Sequence, residues 1–216
     1  MRKKEKNKKL VVFTTTYKSQ MGGIKDILVG LGRKEAIEID KEYQWRKLFG
    51  PWGGEELAKL YQGFSEERLK RLSFDYYLEY LLPGLREFVF GLKEKGFLIG
   101  VLSYNPQFMM DTLKEHLPLD FAIGTQLEFK EGIATGKIQK EVNRYDEAEI
   151  LKQKRKEYGI GKENVITLGR SSITHLPIAK ESAVYIGFDP VKDTISDIAK
   201  IIARKRDLKK IFFEKV

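Results

Sequence analysis

Five short apolar runs, at 10–13, 97–102, 165–168, 183–188 and 211–213, constrain this chain more than any other feature. Each is rich in Val, Ile, Leu or Phe and nearly free of charge, the pattern of a strand covered on both faces. Helical patterns separate them. Segment 83–96 opens on Pro83 and closes on Gly96, and 146–158 ends at Gly159. Segment 193–206 carries Ile195, Ile198, Ile201 and Ile202 on one stripe. Strands alternating with helices predict an α/β fold, a doubly wound, Rossmann-like parallel sheet.

Two stretches break the rhythm. Residues 20–82 contain helix-like pieces, among them 55–61 and 65–81, with a turn at 50–54 and no convincing strand. That is far more chain than one crossover needs, so an inserted helical cap is expected. The predicted division is a core of 1–18 and 83–216 with a cap of 19–82. Within 121–138, alternating apolar positions flank Lys130, Glu131 and Gly132, which predicts a β-hairpin. The chain shows no internal repeat and no low-complexity segment.

Composition narrows the chemistry. With no cysteine, the chain has no disulfide framework, no thiol nucleophile and no cysteine-based metal site. Two histidines, His116 and His175, lie too far apart in sequence to build a zinc site by themselves. No apolar run approaches the roughly eighteen residues of a membrane span, so no membrane partner is expected. The basic start leads into too short an apolar stretch for a signal peptide. A soluble, cytoplasmic protein is expected. The formal charge of +9 favours acidic partners. It gathers at the ends, however, with six basic residues in 1–9 and a second group near 200–210. Solvated ends are therefore favoured over a dedicated nucleic-acid surface, and weak non-specific nucleic-acid binding is the most they predict. Abundant Lys and Glu with only four Asn suit a heat-adapted, thermophilic surface.

Doubly wound sheets bind ligands at the carboxyl ends of their strands. After the first run come Thr14, Thr15 and Thr16. After the second come Ser103, Tyr104 and Asn105. After the third come Gly169, Arg170, Ser171 and Ser172, and after the fourth Asp189. With these residues the chain resembles the haloacid dehalogenase-like (HAD) phosphatases of the phosphoserine-phosphatase type. The resemblance takes in the helical insertion, the helix from Pro83 into 97–103, the segment LEFKEGIATGKI at 127–138, the helix holding Glu149, and the turn at Gly169.

The resemblance implies an inserted cap, a magnesium ion and four catalytic motifs, from which this chain departs. Where the family has its nucleophile and acid/base aspartates, Thr14 and Thr16 stand. Ser103 fits the phosphate-holding Ser/Thr. Glu147 occupies the place of the family's lysine, with Arg144 one turn away. Arg170 to Thr174 holds no carboxylate where metal ligands belong. A threonine hydroxyl is a poor nucleophile without an adjacent base, and magnesium asks for hard, usually carboxylate, oxygens. The expectation is a non-catalytic pseudoenzyme, a binding or regulatory protein without a catalytic residue, cofactor or metal. Thr14, Thr16, Ser103, Asn105, Arg170 and Ser171 would line a site for a phosphate-bearing small molecule. The alternative is a divergent, magnesium-dependent phosphomonoesterase, and a third reading is a nucleic-acid-associated module using the basic ends. His175, among Ile173, Leu176 and Ile178, is expected to be packed and hydrogen-bonded. Trp45, Trp52, Tyr43, Tyr76 and Tyr77 are expected to pack inside the cap. Nothing in the sequence names a protein partner.

Overall fold

The computed structural model describes residues 8–18, 22–44, 53–169, 175–188 and, in backbone, 201–203. The strands are β1 (Leu10–Phe13), β2 (Leu98–Pro106), β3 (Phe121–Lys130), β4 (Ile133–Lys140), β5 (Val165–Gly169), β6 (Val184–Phe188) and β7 (Ile201–Ala203). The helices are α1 (Gly23–Gly30), α2 (Glu35–Gln44), α3 (Gly54–Leu60), α4 (Glu66–Tyr80), α5 (Leu85–Glu94), α6 (Gln107–His116), α7 (Arg144–Glu157) and α8 (Leu176–Ala179). One seven-stranded sheet runs in the order β4-β3-β2-β1-β5-β6-β7. Only the β3–β4 pair is antiparallel. The α/β doubly wound sheet expected from the sequence is the fold observed.

β1 lies at the centre, with Leu10 to Phe13 in parallel register against Leu98 to Val101 on one side and Val165 to Leu168 on the other. Its side chains alternate between two cores. Val11 and Phe13 enter one cluster, and Leu10 and Val12 enter the other. This is the period-two consequence of a strand covered on both faces, and it explains why the run carries no polar residue. Phe13 meets Phe88 of α5 edge-on at 5.9 Å between ring centroids.

Helices α1 to α4 fill the interval between β1 and β2. The chain leaves and re-enters the sheet at one place, where Lys18 N–H donates to Tyr80 C=O (2.8 Å) and Leu82 N–H donates to Thr16 C=O (3.0 Å). Ile24, Leu57, Tyr61 and Leu69 from these helices share a continuous apolar cluster with Val11, Phe13 and Val89. Tyr76 and Tyr77 are buried in it as expected. The hairpin turns at Glu131 (φ 50°) and Gly132 (φ 74°). Positive φ at both central residues is the twist that a two-residue hairpin needs, and the second of them is glycine.

α7 begins two residues earlier than its apolar pattern indicates. Asn143 caps it by accepting from Asp146 N–H at 3.2 Å, and the Asp146 carboxylate accepts from Asn143 N–H at 2.9 Å. This reciprocal box fixes the first turn, and with it the direction of Glu147. α6, which the apolar runs do not advertise, buries Phe108, Met109, Met110 and Leu113.

Two expectations are corrected. Ile201–Ala203 is not helical: it pairs in parallel with Ile186, Gly187 and Phe188 as β7. Consecutive isoleucines are β-branched, and an open sheet edge takes them more readily than a helix does. Ser103 does not end its strand. β2 continues to Pro106, with an irregular register against β3 between Leu102 and Pro106. The rest of the predicted helix 193–206, the strand at 211–213, Trp45, Trp52, most of the turn 50–54, residues 170–174, Asp189 and most of the basic ends lie outside the described residues. Among the described residues, no helix is long and apolar enough to cross a membrane.

Candidate functional site

The sheet brings Thr14, Thr16, Ser103 and Asn105 to its carboxyl edge. Thr14 follows β1 directly, and its hydroxyl and its backbone N–H both donate to Leu168 C=O, at 3.2 and 2.8 Å. That double contact ties the end of β1 to β5. Thr16 is buried, and its carbonyl is the one that accepts from Leu82. The Ser103 hydroxyl accepts from Asn105 N–H at 3.2 Å, and Asn105 Oδ1 accepts from Ile24 N–H at 3.1 Å. Asn105 therefore holds the start of α1 against the end of β2. Arg170 and Ser171 fall outside the described residues.

Gly169, the last residue of β5, is where polar groups converge. A Cβ placed there would lie 2.3 Å from Tyr185 Oη, 2.5 Å from Thr14 Oγ1 and 3.0 Å from His175 Nδ1. Tyr185 Oη is itself 3.2 Å from His175 Nδ1. His175 is thus hydrogen-bonded, as its surroundings in the sequence suggested. It also stands close to Thr14, whose neighbourhood the sequence reading left without a histidine or a carboxylate. That reading is corrected: β6 runs beside β5, with Gly187 opposite Gly169 and Tyr185 opposite Thr167, and so delivers a phenol to the end of β1.

Glu147 adds an acid. It sits in the first turn of α7 at 2% exposure, and its Oε2 has no hydrogen-bond partner among the described residues. Two influences compete on this carboxyl. A helix start favours the charged form by about 0.3–1 kcal/mol, whereas removal from water costs an isolated carboxylate several times that. Burial wins, and with the nearby Asp146 charge it holds Glu147 well above the usual carboxylate range. Tyr185 is likewise pushed up, first by burial and then by Glu147, which places the two groups within electrostatic reach. In both, burial favours the proton-bearing form.

A second convergence lies toward the inserted helices. A Cβ on Gly54 would stand 2.5 Å from Tyr104 Oη and 2.8 Å from Glu141 Oε1. Burial, reinforced by Asp146 and Glu55, raises the Glu141 carboxyl. Lys25 is buried and paired with Asp40 across α1 and α2. Of Tyr104, Glu141 and Lys25, sequence reasoning named only Tyr104, as a residue that follows the second apolar run. The available signal was a polar residue just past a strand end, Tyr104 after Ser103 and Glu141 after β4.

Magnesium was implied by the family resemblance, and the donor set does not fit it. Thr14 and Thr16 offer neutral hydroxyls, and 170–174 contains no carboxylate. Burial disfavours the charged form of Glu147, and among the described residues no group of three or more His, Cys, Asp or Glu could hold a metal. A divalent cation binds hard, anionic oxygens, and this edge presents hydrogen-bond donors instead.

Residues 34–171 match the haloacid dehalogenase-like hydrolase family. The chain belongs to that family. It is 27% identical, over 96% of its length and 97% of the relative's, to a phosphoserine phosphatase of Methanocaldococcus jannaschii. It is 32% identical over 155 residues to one of Archaeoglobus fulgidus, covering 71% of this chain but 44% of that relative's length. Two solved phosphoserine phosphatases, one with substrate bound and one as a phospho-aspartyl intermediate analogue, superpose with TM-scores of 0.81 and 0.80. Each is 26% identical, and the match covers 97% of this chain and 99% of theirs. The expectation of a non-catalytic binding or regulatory protein is corrected by these likenesses. They favour the alternative, a phosphomonoesterase. The expectation equated missing carboxylates with missing chemistry, and it did not foresee the Glu147, Tyr185 and His175 groups gathered at the same edge.

Proposed function

We propose that this protein hydrolyses phosphomonoesters of small molecules at the carboxyl ends of β1, β2 and β5, with phosphoserine the first substrate to test. The observation that carries the reading is the end-to-end likeness to phosphoserine phosphatases, in sequence with the Methanocaldococcus relative and in fold with the substrate-bound structure. The phosphoryl group would meet Thr14, Thr16 and Ser103, with Asn105 positioning the edge and Arg170 and Ser171 supplied by the segment after β5. Residues 19–82 would act as a cap over a core of 1–18 and 83–216, excluding water from the cleft. Hydrolysis joins a water oxygen to phosphorus and breaks the ester P–O bond, and the departing alcohol oxygen takes up a proton. Thr14 cannot form the acyl phosphate that an aspartate forms, so water itself is the expected attacking group.

The test is phosphate release from O-phosphoserine and a panel of phosphorylated amino acids, sugars and p-nitrophenyl phosphate, with magnesium and with EDTA. Release that falls at least tenfold in Ser103→Ala supports the reading. No release from any ester under either condition would overturn it.

A further inference from the structure

The start of α1 is fitted closely to one side chain at the end of β2. A Cβ on Gly23 would lie 3.3 Å from Asn105 Oδ1 and 2.3 Å from Met109 Cε. The next residue, Ile24, is held at both its amide and its carbonyl. Its N–H donates to Asn105 Oδ1 at 3.1 Å, and its C=O accepts from the Tyr61 hydroxyl at 2.6 Å. A backbone N–H can only donate, so the end of the Asn105 amide that faces it is the oxygen. The other end, Nδ2, carries two donor hydrogens, and among the described residues neither meets an acceptor. Ser103 is in a similar condition. Its buried hydroxyl accepts from Asn105 N–H at 3.2 Å, and among the described residues its own proton has no acceptor. Two neutral residues joined by that bond thus hold unspent donors at the carboxyl edge of the sheet.

We propose that Asn105 binds the substrate's phosphoryl group through Nδ2, beside the Ser103 hydroxyl, while its Oδ1 carries the contact to α1, so that phosphoryl binding and docking of the inserted helices strengthen each other. The ligand chemistry follows from the donors. Phosphoryl oxygens only accept, and their charge makes such hydrogen bonds strong. A carboxamide suits this place because its two ends differ. An aspartate would still accept from Ile24 N–H but would turn an anionic oxygen toward the phosphoryl group, and an alanine would do neither task. The coupling follows from linkage: a ligand that binds best when the amide is fixed must stabilise, by the same factor, the contact that fixes it. The ligand assignment rests on the phosphomonoesterase reading; the anchored amide does not.

The experiment titrates full-length, nitrogen-15-labelled protein with inorganic phosphate, in EDTA and again in magnesium. The Asn105 side-chain NH2 signals are identified by their loss in Asn105→Ala. At least one of them should move downfield as phosphate saturates, with the midpoint that calorimetry gives. Amide exchange at Ile24 should slow about tenfold when phosphate stands at ten times its dissociation constant. Asn105→Asp keeps an acceptor for Ile24 N–H, so exchange there without ligand should stay within about threefold of native. Its phosphate binding should weaken about tenfold or more, the effect of losing a hydrogen bond to a charged acceptor. NH2 signals unmoved at saturation, exchange at Ile24 that ignores phosphate, native phosphate affinity in Asn105→Asp, or no phosphate bound in either condition would overturn the proposal. Its failure is separable from that of the proposed function. Phosphate bound with the Asn105 signals moved, and no ester cleaved, would sink the hydrolase reading and leave this contact standing. Ester cleaved by a protein whose Asn105 signals ignore phosphate would do the opposite.

Discussion

Replacing Glu147 by glutamine should change how stability responds to pH in one direction only. In the folded protein this carboxyl is removed from water, has no hydrogen-bond partner at Oε2 among the described residues, and has Asp146 beside it. In the unfolded chain it ionises with an ordinary glutamate pKa. Below about pH 4.3 it is neutral in both states and contributes no pH dependence. As pH rises further, the unfolded state releases the proton while the folded state keeps it, so unfolding becomes easier. The slope is about 1.4 kcal/mol per pH unit until the folded pKa is reached. Glutamine has no proton to release, and the other titrating groups largely cancel between native and variant. The stability of Glu147→Gln relative to native should therefore climb by about 1.4 kcal/mol per unit from near pH 4.5 upward. With a urea m-value of about 1–3 kcal/mol/M, each unit moves the midpoint difference by roughly 0.5–1.4 M. Urea unfolding of both proteins at half-unit steps from pH 4 to 8 measures it. Parallel curves would show that Glu147 is ionised or solvated in the folded protein and would refute the reasoning.

Three further outcomes are expected. Gly169→Ala should destabilise by about 1–3 kcal/mol, because its Cβ would come within 2.3 Å of Tyr185 Oη, and thermal unfolding would show the loss. Asn143→Ala should cost about 1 kcal/mol by opening the capping box of α7; its far-ultraviolet signal should stay native while the urea midpoint falls. Asn105→Ala leaves Ile24 N–H without its side-chain acceptor. Faster amide exchange at the start of α1, with exchange in β2 unchanged, would mark the loss of that tether.

Much of the fold was legible because the buried strands leave an unmistakable trace. β1, β5 and β6 are uninterrupted apolar runs, and such runs have few alternatives in a chain this charged. The hairpin was legible from Glu131 and Gly132, whose backbone demands are local. β7 was misread because Ile195, Ile198, Ile201 and Ile202 satisfy a helical stripe, while pairing against Ile186 is a non-local event that periodicity does not report. The candidate site divides the same way. Thr14 and Ser103 could be placed by following strands toward their ends. The meeting of Thr14, His175 and Tyr185 depends on the register between β5 and β6, and nothing near position 14 encodes it. Glu147 was identified by its place in a resemblance, but its raised pKa follows from burial and the neighbouring Asp146, which the fold supplies.

The central position of β1 sets the order in which this protein is assembled. The strand precedes both its neighbours, which are encoded far downstream, β2 from residue 98 and β5 from residue 165. At about 5–20 residues per second, roughly 8–30 s of synthesis separate β1 from its second partner. Until β2 is made, Leu10, Val11, Val12 and Phe13 have neither strand partner, and the edge that β5 takes stays unpaired until residue 165. Closing loops of that length before any ladder forms is slow, and an apolar strand left open is a template for other chains. Like charge beside such a strand disfavours its pairing with other copies, and five lysines and an arginine stand at positions 2–9, directly before this segment in the sequence.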